Sequence, residues 1–425
     1  MKLSLSQYSK LKICVAVSGG KDSVALLYYL CAHAKEYSIT LSALNCDHSL
    51  RGEASVSDSE FVKRLCEKLD VPLTSFKRNE NSRLSENEAR IWRLACYKKA
   101  IEGGADAIAT AHHANDNAET VLFNLARGCS LSGAEGITDC VVDGVKLIRP
   151  LINCTREEID EYIKENNLSF VTDESNFSLD YTRNKIRLNV LPMLENAVQG
   201  AIDGISRFSR LAKEDDDFLF SEMRKRKILT VKGNTAFIKT CDIKPLFSRA
   251  VCEAVKNYFN LKDYTASHVE SLFKLQNLSV GKRFEFLGLT AYKEDGAIAV
   301  CRSNCLPETI KFNDYKDKFF GETELEFGDK EGTLKFDADK IPSAAVIRTF
   351  LKGDRFKKFG GGEKSLGDYF TDKKIPVRLR NTIPLIADGS EILAVCGVEI
   401  SDLIKVDDNT KSVKYINCKL NFFEE

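Results

Sequence analysis

No stretch of this 425-residue chain approaches the roughly 18 consecutive apolar residues that a membrane-spanning helix needs. No membrane association is expected. The first apolar run, Ile13 to Val17, is short and passes straight into polar glycines. It lacks the apolar core and small-residue cleavage site of a secretory signal, so a cytoplasmic protein is expected. Cysteine is not scarce, with 14 residues, but no Cys-x-x-Cys occurs and the nearest pair is Cys301 and Cys305. Cys14, Cys31 and Cys252 sit singly inside apolar segments, which predicts reduced, buried thiols and excludes a disulfide scaffold. Histidine is sparse at five residues, and the adjacent His112 and His113 have no zinc-site spacing. Net charge is absent as well, 62 Lys+Arg standing against 62 Asp+Glu. The chain as a whole therefore lacks the basic excess of an indiscriminate nucleic-acid binder. No internal repeat or low-complexity tract is visible.

What is present is ordinary globular composition, 43% hydrophobic and 29% charged, at a length that predicts two or three domains. The first ~200 residues alternate strands with amphipathic helices. Lys12 to Val17 reads as a buried strand ending in a glycine turn, and a helix opens at Asp22. Strands are expected at Ile39 to Cys46, Leu73 to Phe76 and Ala105 to Thr110. Helices are expected from a capping Ser57 through Leu69, from Ser85 to Ile101, and from Asn115 to Leu125. Such alternation predicts an α/β fold with a doubly wound parallel sheet, whose ligands bind beyond the carboxyl ends of the strands. The turn at Ser18 and the segment at His112 both follow strands and so belong to one cleft. Leu194 to Lys227 has helical period and leads out of this domain. Glu322 to Lys330, acidic and glycine-containing, reads as a boundary. The expected domains are a catalytic one at 1–210, a mostly helical or mixed middle domain at 211–325 that links or binds a partner, and a small α+β partner-binding domain at 326–425.

The chemistry is concentrated in Ser18-Gly19-Gly20-Lys21-Asp22-Ser23. Two glycines let the backbone approach an anion, and the loop amides and helix N-terminus direct partial positive charge at it. Ser18 and Ser23 add hydroxyls. Lys21 is either a point charge for a phosphate or a solvent-facing lysine. Asp22 is out of place beside a phosphate unless a divalent cation lies between them, so Mg²⁺ is its expected partner. The loop is not a Walker A sequence, which wraps the β/γ end of a nucleotide. It suits a pyrophosphate that leaves as one piece.

This hexapeptide resembles the signature of the PP-loop, or N-type, ATP pyrophosphatases, whose fold is adenine nucleotide alpha hydrolase-like. The resemblance implies ATP cleaved to AMP and pyrophosphate. Further motifs narrow it: Cys46-Asp47-His48-Ser49-Leu50-Arg51, Asn87-Glu88-Ala89-Arg90 with Arg93 and Tyr97, and the run from Thr110 to Gly128. Arg149-Pro150-Leu151, Asp173-Glu174-Ser175-Asn176 and Tyr181-Thr182-Arg183-Asn184 with Arg187 continue the series. Together they resemble the tRNA(Ile)-lysidine synthetase family. Gly353-Asp354-Arg355-Phe356, Gly362, Lys364 and Lys374-Ile375-Pro376 resemble that family's last domain; residues ~215–320 carry no such motif. The resemblance implies a carbon–nitrogen ligase that joins L-lysine to C2 of the wobble cytidine in the CAU anticodon of tRNA(Ile). Codon reading would change from AUG to AUA. Cytidine O2 would attack the α-phosphate of ATP, and the lysine amine would then displace AMP. ATP, Mg²⁺, L-lysine and tRNA(Ile) are the expected cofactors and partners, and a homodimer is admitted. Another PP-loop enzyme, a tRNA thiolase or an NAD synthetase-like amidating enzyme, is the alternative.

Within that frame Asp116 and Glu119, three apart at a helix start, share a face and are candidates for holding lysine's ammonium groups. Stabilisation of the helix N-terminus is their plainer role. Asp22, Asp116 and Arg90 are the catalytic candidates, Arg90 as a phosphate or tRNA clamp or else a surface ion pair. His112 and His113 are candidate nucleotide contacts, and a histidine titrating near neutrality would aid proton removal. Arg51, Arg183 and Arg187 are further candidates for nucleotide or tRNA contact. Between Val346 and Asn381 lie ten basic residues, including Arg355, Lys357, Lys358 and Lys364, against four acidic ones, a local excess of +6. This segment is the expected tRNA-phosphate patch.

Overall fold

The computed structural model describes residues 1–47, 53–78, 86–171, 182–303 and 306–420. Arg51, the Asp173–Asn176 run, Tyr181 and the expected cap at Ser85 lie outside them. The chain forms two compact units, Met1–Phe218 and Leu219–Glu425.

The first unit starts with β1 (Lys12–Ala16), α1 (Lys21–His33), β2 (Thr40–Asp47), α2 (Glu53–Lys68), β3 (Leu73–Lys77), α3 (Glu86–Glu102) and β4 (Ala107–Ala109). It continues with α4 (Ala114–Ala126), α5 (Leu131–Ala134), the hairpin β5 (Cys140–Val142) and β6 (Val145–Ile148), α6 (Arg156–Glu165) and α7 (Thr182–Lys185). A π turn at Ile186–Val190, then α8 (Leu191–Ala197) and α9 (Ala201–Lys225), close the series. The strand order is β3-β2-β1-β4-β6-β5. All neighbours pair in parallel except β5 and β6. This is the expected doubly wound sheet with one antiparallel edge that periodicity did not reveal, its strands being only three and four residues long.

β1 is central and covered on both faces, which is why Ile13, Cys14 and Val15 form an unbroken apolar run with no more than 3% exposure. β2 and β3 lie on one side of β1, β4 and β6 on the other. The topological switch therefore falls between β1 and β4, where ligands of such sheets bind. α1 buries Leu26, Leu27 and Leu30 completely, each contributing about 2 kcal/mol, and this fixes the loop before it. α2 begins at Glu53, ahead of the expected Ser57 cap, because Glu and Ala extend a helix readily. The expected helix over Leu194–Lys227 is broken before α9. There Gly200 takes φ +79° and the Glu195 carboxylate accepts from the amides of Gly200 (2.6 Å) and Ile202 (3.0 Å).

α9 is tied to α4 by polar groups. The Asn117 amide donates to Ser209 Oγ (3.1 Å) and its carbonyl accepts from the Ile137 amide (2.7 Å). Gly136, at φ +65°, is required there, since a Cβ would lie 2.0 Å from Asn117 Oδ1. Beside it the fully buried Asp216 accepts from Ser132 Oγ (2.5 Å) and faces Glu135.

The second unit carries a five-stranded antiparallel sheet in the order β7-β8-β11-β10-β9. Its strands are β7 (Leu229–Lys232), β8 (Thr235–Lys239), β9 (Arg283–Phe286), β10 (Leu289–Glu294) and β11 (Ala297–Arg302), with α10 (Lys244–Cys252) and α11 (Ala266–Leu275) inserted after β8. Then follow β12 (Ile310–Lys311), β13 (Phe319–Phe320), β14 (Thr323–Gly328), β15 (Leu334–Asp337), β16 (Val346–Arg348), β17 (Arg355–Lys357) and β18 (Glu363–Ser365). The chain ends through α12 (Leu366–Asp372), α13 (Val377–Arg380), β19 (Leu385–Asp388), β20 (Glu391–Val395), β21 (Glu399–Ile400) and β22 (Val413–Lys419). The core there is aromatic and aliphatic, with Phe356, Tyr369, Phe370, Leu385 and Ile392 buried. Glu322 to Lys330 does not separate folded parts. Most of it is β14, paired to β22, with Leu325 buried while Glu324 and Glu326 meet Lys419 and Lys318 at the surface. The period-2 alternation of Thr-Glu-Leu-Glu-Phe outweighs its acidity.

Burial, and next the hydrogen bond to Asp216, push the Glu135 carboxyl up to about 7 from its ordinary 4.5. The folded protein thus keeps a proton that the unfolded chain releases above pH 4.5. The expected outcome is that unfolding free energy falls as pH rises from about 4.5 to 7 and levels off above. Urea unfolding at pH 5 and pH 8 checks this, and Glu135→Gln flattens that part of the profile.

Candidate active site

Among the helices of the first unit that start at the carboxyl edge of the sheet are α1 after β1, α4 after β4 and α6 after β6. Each N-terminus presents unsatisfied amides. At α4 they are capped by His113, whose Nδ1 accepts from the Asn115 amide (3.3 Å), while Asp116 accepts from the His113 amide (3.1 Å). At α6 Thr155 and Glu158 form a reciprocal box (3.3 and 2.8 Å). At α1 the cap position is Gly20, and no side chain caps it. The α1 amides are therefore left for a ligand, with a preference for anions from the helix dipole.

The loop holds that opening in place. The Ser18 amide donates to Ser23 Oγ (3.2 Å), Ser23 Oγ donates to the Gly20 carbonyl (2.9 Å), and the Gly20 amide donates to Ser18 Oγ (3.3 Å). Gly19 turns the chain at φ +89°, a conformation that a side chain disfavours. Beyond the loop lies a cavity of about 810 Å³ lined by Ser18, Gly20, Lys21, Asp22, Ser23, His112, His113 and Asp116. The structure thus brings the Ser18 and His112 segments into one cleft, as their places after β1 and β4 predict. Lys21 is ion-paired with Asp160 of α6.

Asp22 Oδ1 is buried and has no hydrogen-bond partner among the described residues. Burial raises the Asp22 carboxyl above its usual range, with Asp116 adding to the rise and His113, Lys21 and Arg156 opposing it. His113 is buried, 1% exposed, with Nε2 3.5 Å from Asp116 Oδ2 and 3.9 Å from Asp22 Oδ2. Because Nδ1 accepts from an amide, the ring proton belongs on Nε2, between the two carboxylates. His112 does not titrate near neutrality. Burial lowers it to about 4, and its Nδ1 lies 2.9 Å from Thr110 Oγ1. The expectation of a neutral-range histidine base fails at this residue, because desolvation outweighs the attraction of Asp116.

Asp116 and Glu119 share a face, but they hold a cation of the chain. Arg187, in the π turn, donates from Nε to Glu119 Oε1 (2.6 Å) and from Nη2 to Glu119 Oε2 (3.0 Å) and Asp116 Oδ1 (2.8 Å). Asp116 and Arg187 line the cavity, whereas Glu119 is 3% exposed and stands behind them. Burial raises the Glu119 carboxyl, against the pull of Arg187. On α3 the residue that reaches the cavity wall is Arg93, with Tyr97, while Arg90 is exposed and does not line it. Arg183 is exposed on α7, also away from the lining. Arg156 and Asp160 line the cavity without having been picked out from sequence. The Thr155-Arg156-Glu157-Glu158 capping pattern is the signal that marks that helix start.

The basic segment of the second unit is largely neutralised. Arg348 is buried and bidentate to Asp354 (2.7 and 2.8 Å). Arg378 is 11% exposed, pairs with Glu294 (2.8 Å) and lies over the Phe237 ring. Arg355 meets Glu363 (2.6 Å), Lys357 meets Asp402 (3.7 Å), Lys373 meets Glu399 (2.8 Å), and Lys364 meets Asp372. Lys352, Lys358, Lys374 and Arg380 remain without an ion pair among the described residues, Arg380 donating to the Ile375 and Gly367 carbonyls and to Thr371 Oγ1. The expected +6 patch is thus a smaller cationic surface, because acids at 399 and 402, remote in sequence, fold onto it.

Residues 1–194 match the family described as a PP-loop domain, and residues 346–417 match the TilS substrate C-terminal domain. The tRNA(Ile)-lysidine synthase of Caldanaerobacter subterraneus subsp. tengcongensis is 33% identical over 95% of this chain and 93% of its own. That of Clostridium acetobutylicum is 32% identical over 95% and 94%. The crystal structure of a TILS C-terminal domain covers 23% of the chain and 83% of its own at 25% identity and a TM-score of 0.20.

Replacing Arg187 by Met leaves the buried Glu119 charge without its partner. We expect a loss of about 3 kcal/mol of stability at pH 8. The loss shrinks toward pH 5, because protonation of a carboxyl already raised by burial relieves it. Urea unfolding at the two pH values measures the difference.

Proposed function

The chain belongs to the tRNA(Ile)-lysidine synthase family, and from that premise we propose which parts of the cavity handle ATP, lysine and the tRNA base. The enzyme is an ATP-using ligase that modifies tRNA(Ile). The observation that carries the assignment is the uncapped N-terminus of α1, opening into the cavity that Asp116 lines. The α1 amides with Ser18, Gly19, Gly20 and Ser23 take the pyrophosphate portion of ATP. Asp22 presents a buried oxygen with no protein partner, a donor that suits Mg²⁺ shared with phosphate oxygens. Mg²⁺ there would offset the charge of the polyphosphate beside Asp22.

Asp116 is the carboxylate we assign to lysine. Two carboxylates and one guanidinium leave a net negative charge around it, a seat for an ammonium group, and Glu119 holds Arg187 from behind. His113 fixes the spacing of Asp22 and Asp116 from a fully enclosed position. The wobble cytidine of a CAU anticodon enters unstacked, with O2 toward the α-phosphate and C2 open to the lysine amine. The protein's work is positioning and neutralising charge. A thiolase reading is disfavoured by Cys46, the cysteine lining the cavity, whose thiol is pushed up by burial and by Cys96 and so resists forming a thiolate.

The test is incubation with ATP, labelled lysine and tRNA(Ile) bearing CAU. Label enters this tRNA and does not enter one with a substituted wobble base; incorporation from ammonia or sulfide in place of lysine contradicts the assignment. Asp22→Ala abolishes pyrophosphate release, and release at the wild-type rate removes Asp22 from the site.

The cationic surface of the second unit is proposed to meet tRNA phosphates. Lys358→Glu weakens tRNA binding on the order of tenfold and lowers its salt dependence, with ATP binding unchanged. Lys357→Glu has the smaller effect, since Lys357 is already paired with Asp402. Filter binding across a salt series distinguishes the two.

A further inference from the structure

Arg156 is the first residue of α6 and lines the cavity. Its backbone amide donates to Asn115 Oδ1 (2.9 Å), so the main chain is tied to the start of α4 whatever the side chain is. The side chain is a different matter. Nε is buried with no acceptor, and the guanidinium has no ion pair or hydrogen bond among the described residues. A buried donor left unmade is unfavourable, and an acceptor arriving in the cavity removes that cost.

The other cations near the loop are occupied: Lys21 by Asp160, one turn along α6 from Arg156, and Arg187 by Asp116 and Glu119. Arg93 also lines the cavity, but from α3, where its charge is felt by Cys46, Tyr97 and His112. Of the cavity cations without an ion pair among the described residues, Arg156 is the one whose charge is felt at Asp22. It lines the same cavity as the phosphate loop, with a planar fork of donors suited to two phosphate oxygens.

We propose that Arg156 is a catalytic residue of the adenylation step, its guanidinium binding the oxygens around the α–β bridge of ATP and stabilising the charge that the departing pyrophosphate acquires. This rests on the ATP-pyrophosphatase reading of the cavity. In that step cytidine O2 forms a bond to the α-phosphorus. The bond from that phosphorus to the bridging oxygen breaks, its electron pair leaves with pyrophosphate, and the AMP moiety stays on the base. Arg156 transfers no proton; it supplies hydrogen bonds that strengthen as charge builds on the bridging oxygen.

The experiment is single-turnover pyrophosphate release from ATP and tRNA(Ile), with the full chain as wild type, Arg156→Gln and Arg156→Lys. Melting temperature and tRNA affinity are measured beside it. The expected result is a fall in the maximal rate of about 100-fold or more for Arg156→Gln and a fall on the order of tenfold for Arg156→Lys, with melting and tRNA binding unchanged. A maximal rate for Arg156→Gln within about threefold of wild type overturns the proposal. So does a higher KM for ATP with an unchanged maximal rate, which reduces Arg156 to ground-state binding. A wild-type protein that releases no pyrophosphate overturns the reading of the cavity itself, and the proposal with it.

Discussion

A parallel sheet delivers every following helix to its carboxyl edge N-terminus first, and each arrives with amides that need partners. Here two helices at the cavity satisfy those amides internally, α4 through His113 and Asp116 and α6 through Thr155 and Glu158. By contrast, α1 begins at a glycine. On the proposed reading, that single difference decides where the phosphates are held. The apolar body of α1, buried as Leu26, Leu27 and Leu30, holds the helix rigid while its first turn stays open.

Charge organisation around that opening follows from it. An open N-terminus favours anions, yet Asp22 lies in its first turn. His113 sits between Asp22 and Asp116, and Arg187 balances Asp116 with Glu119. On the proposed reading, Asp22 on the phosphate side is faced by the cations Lys21 and Arg156, whereas Asp116 and Glu119 on the amine side share the single guanidinium of Arg187. Binding a polyanion and a cation in one cavity requires such a division, because a uniform field would repel one of the two.

Much of this was legible in sequence because the signals are local. The glycine turn after an apolar run, the three-residue spacing of Asp116 and Glu119, and the strand–helix alternation all operate over a few residues. The places where expectation and structure differ are places where burial or a remote charge intervenes. His112 is an ordinary histidine by type and is shifted to about 4 by the environment it is packed into. The stretch at Glu322 looks like a solvated connector, yet alternation makes it a strand whose charged face stays outside.

The sequence by itself determined the α/β class of the first unit, the position of the phosphate loop and the cleft it shares with the His112 segment, because helical and strand periods and glycine turns are properties of neighbouring residues. Only the tertiary structure decided which charges are spent. Arg187 lies 68 positions from the Glu119 carboxylate it clasps, Lys357 and Lys373 are paired by acids at 402 and 399, and Arg156 lines the cavity with no ion pair among the described residues. An ion pair depends on where packing sets two side chains, and a residue's type says only that it carries a charge, not which partner will be within 4 Å of it.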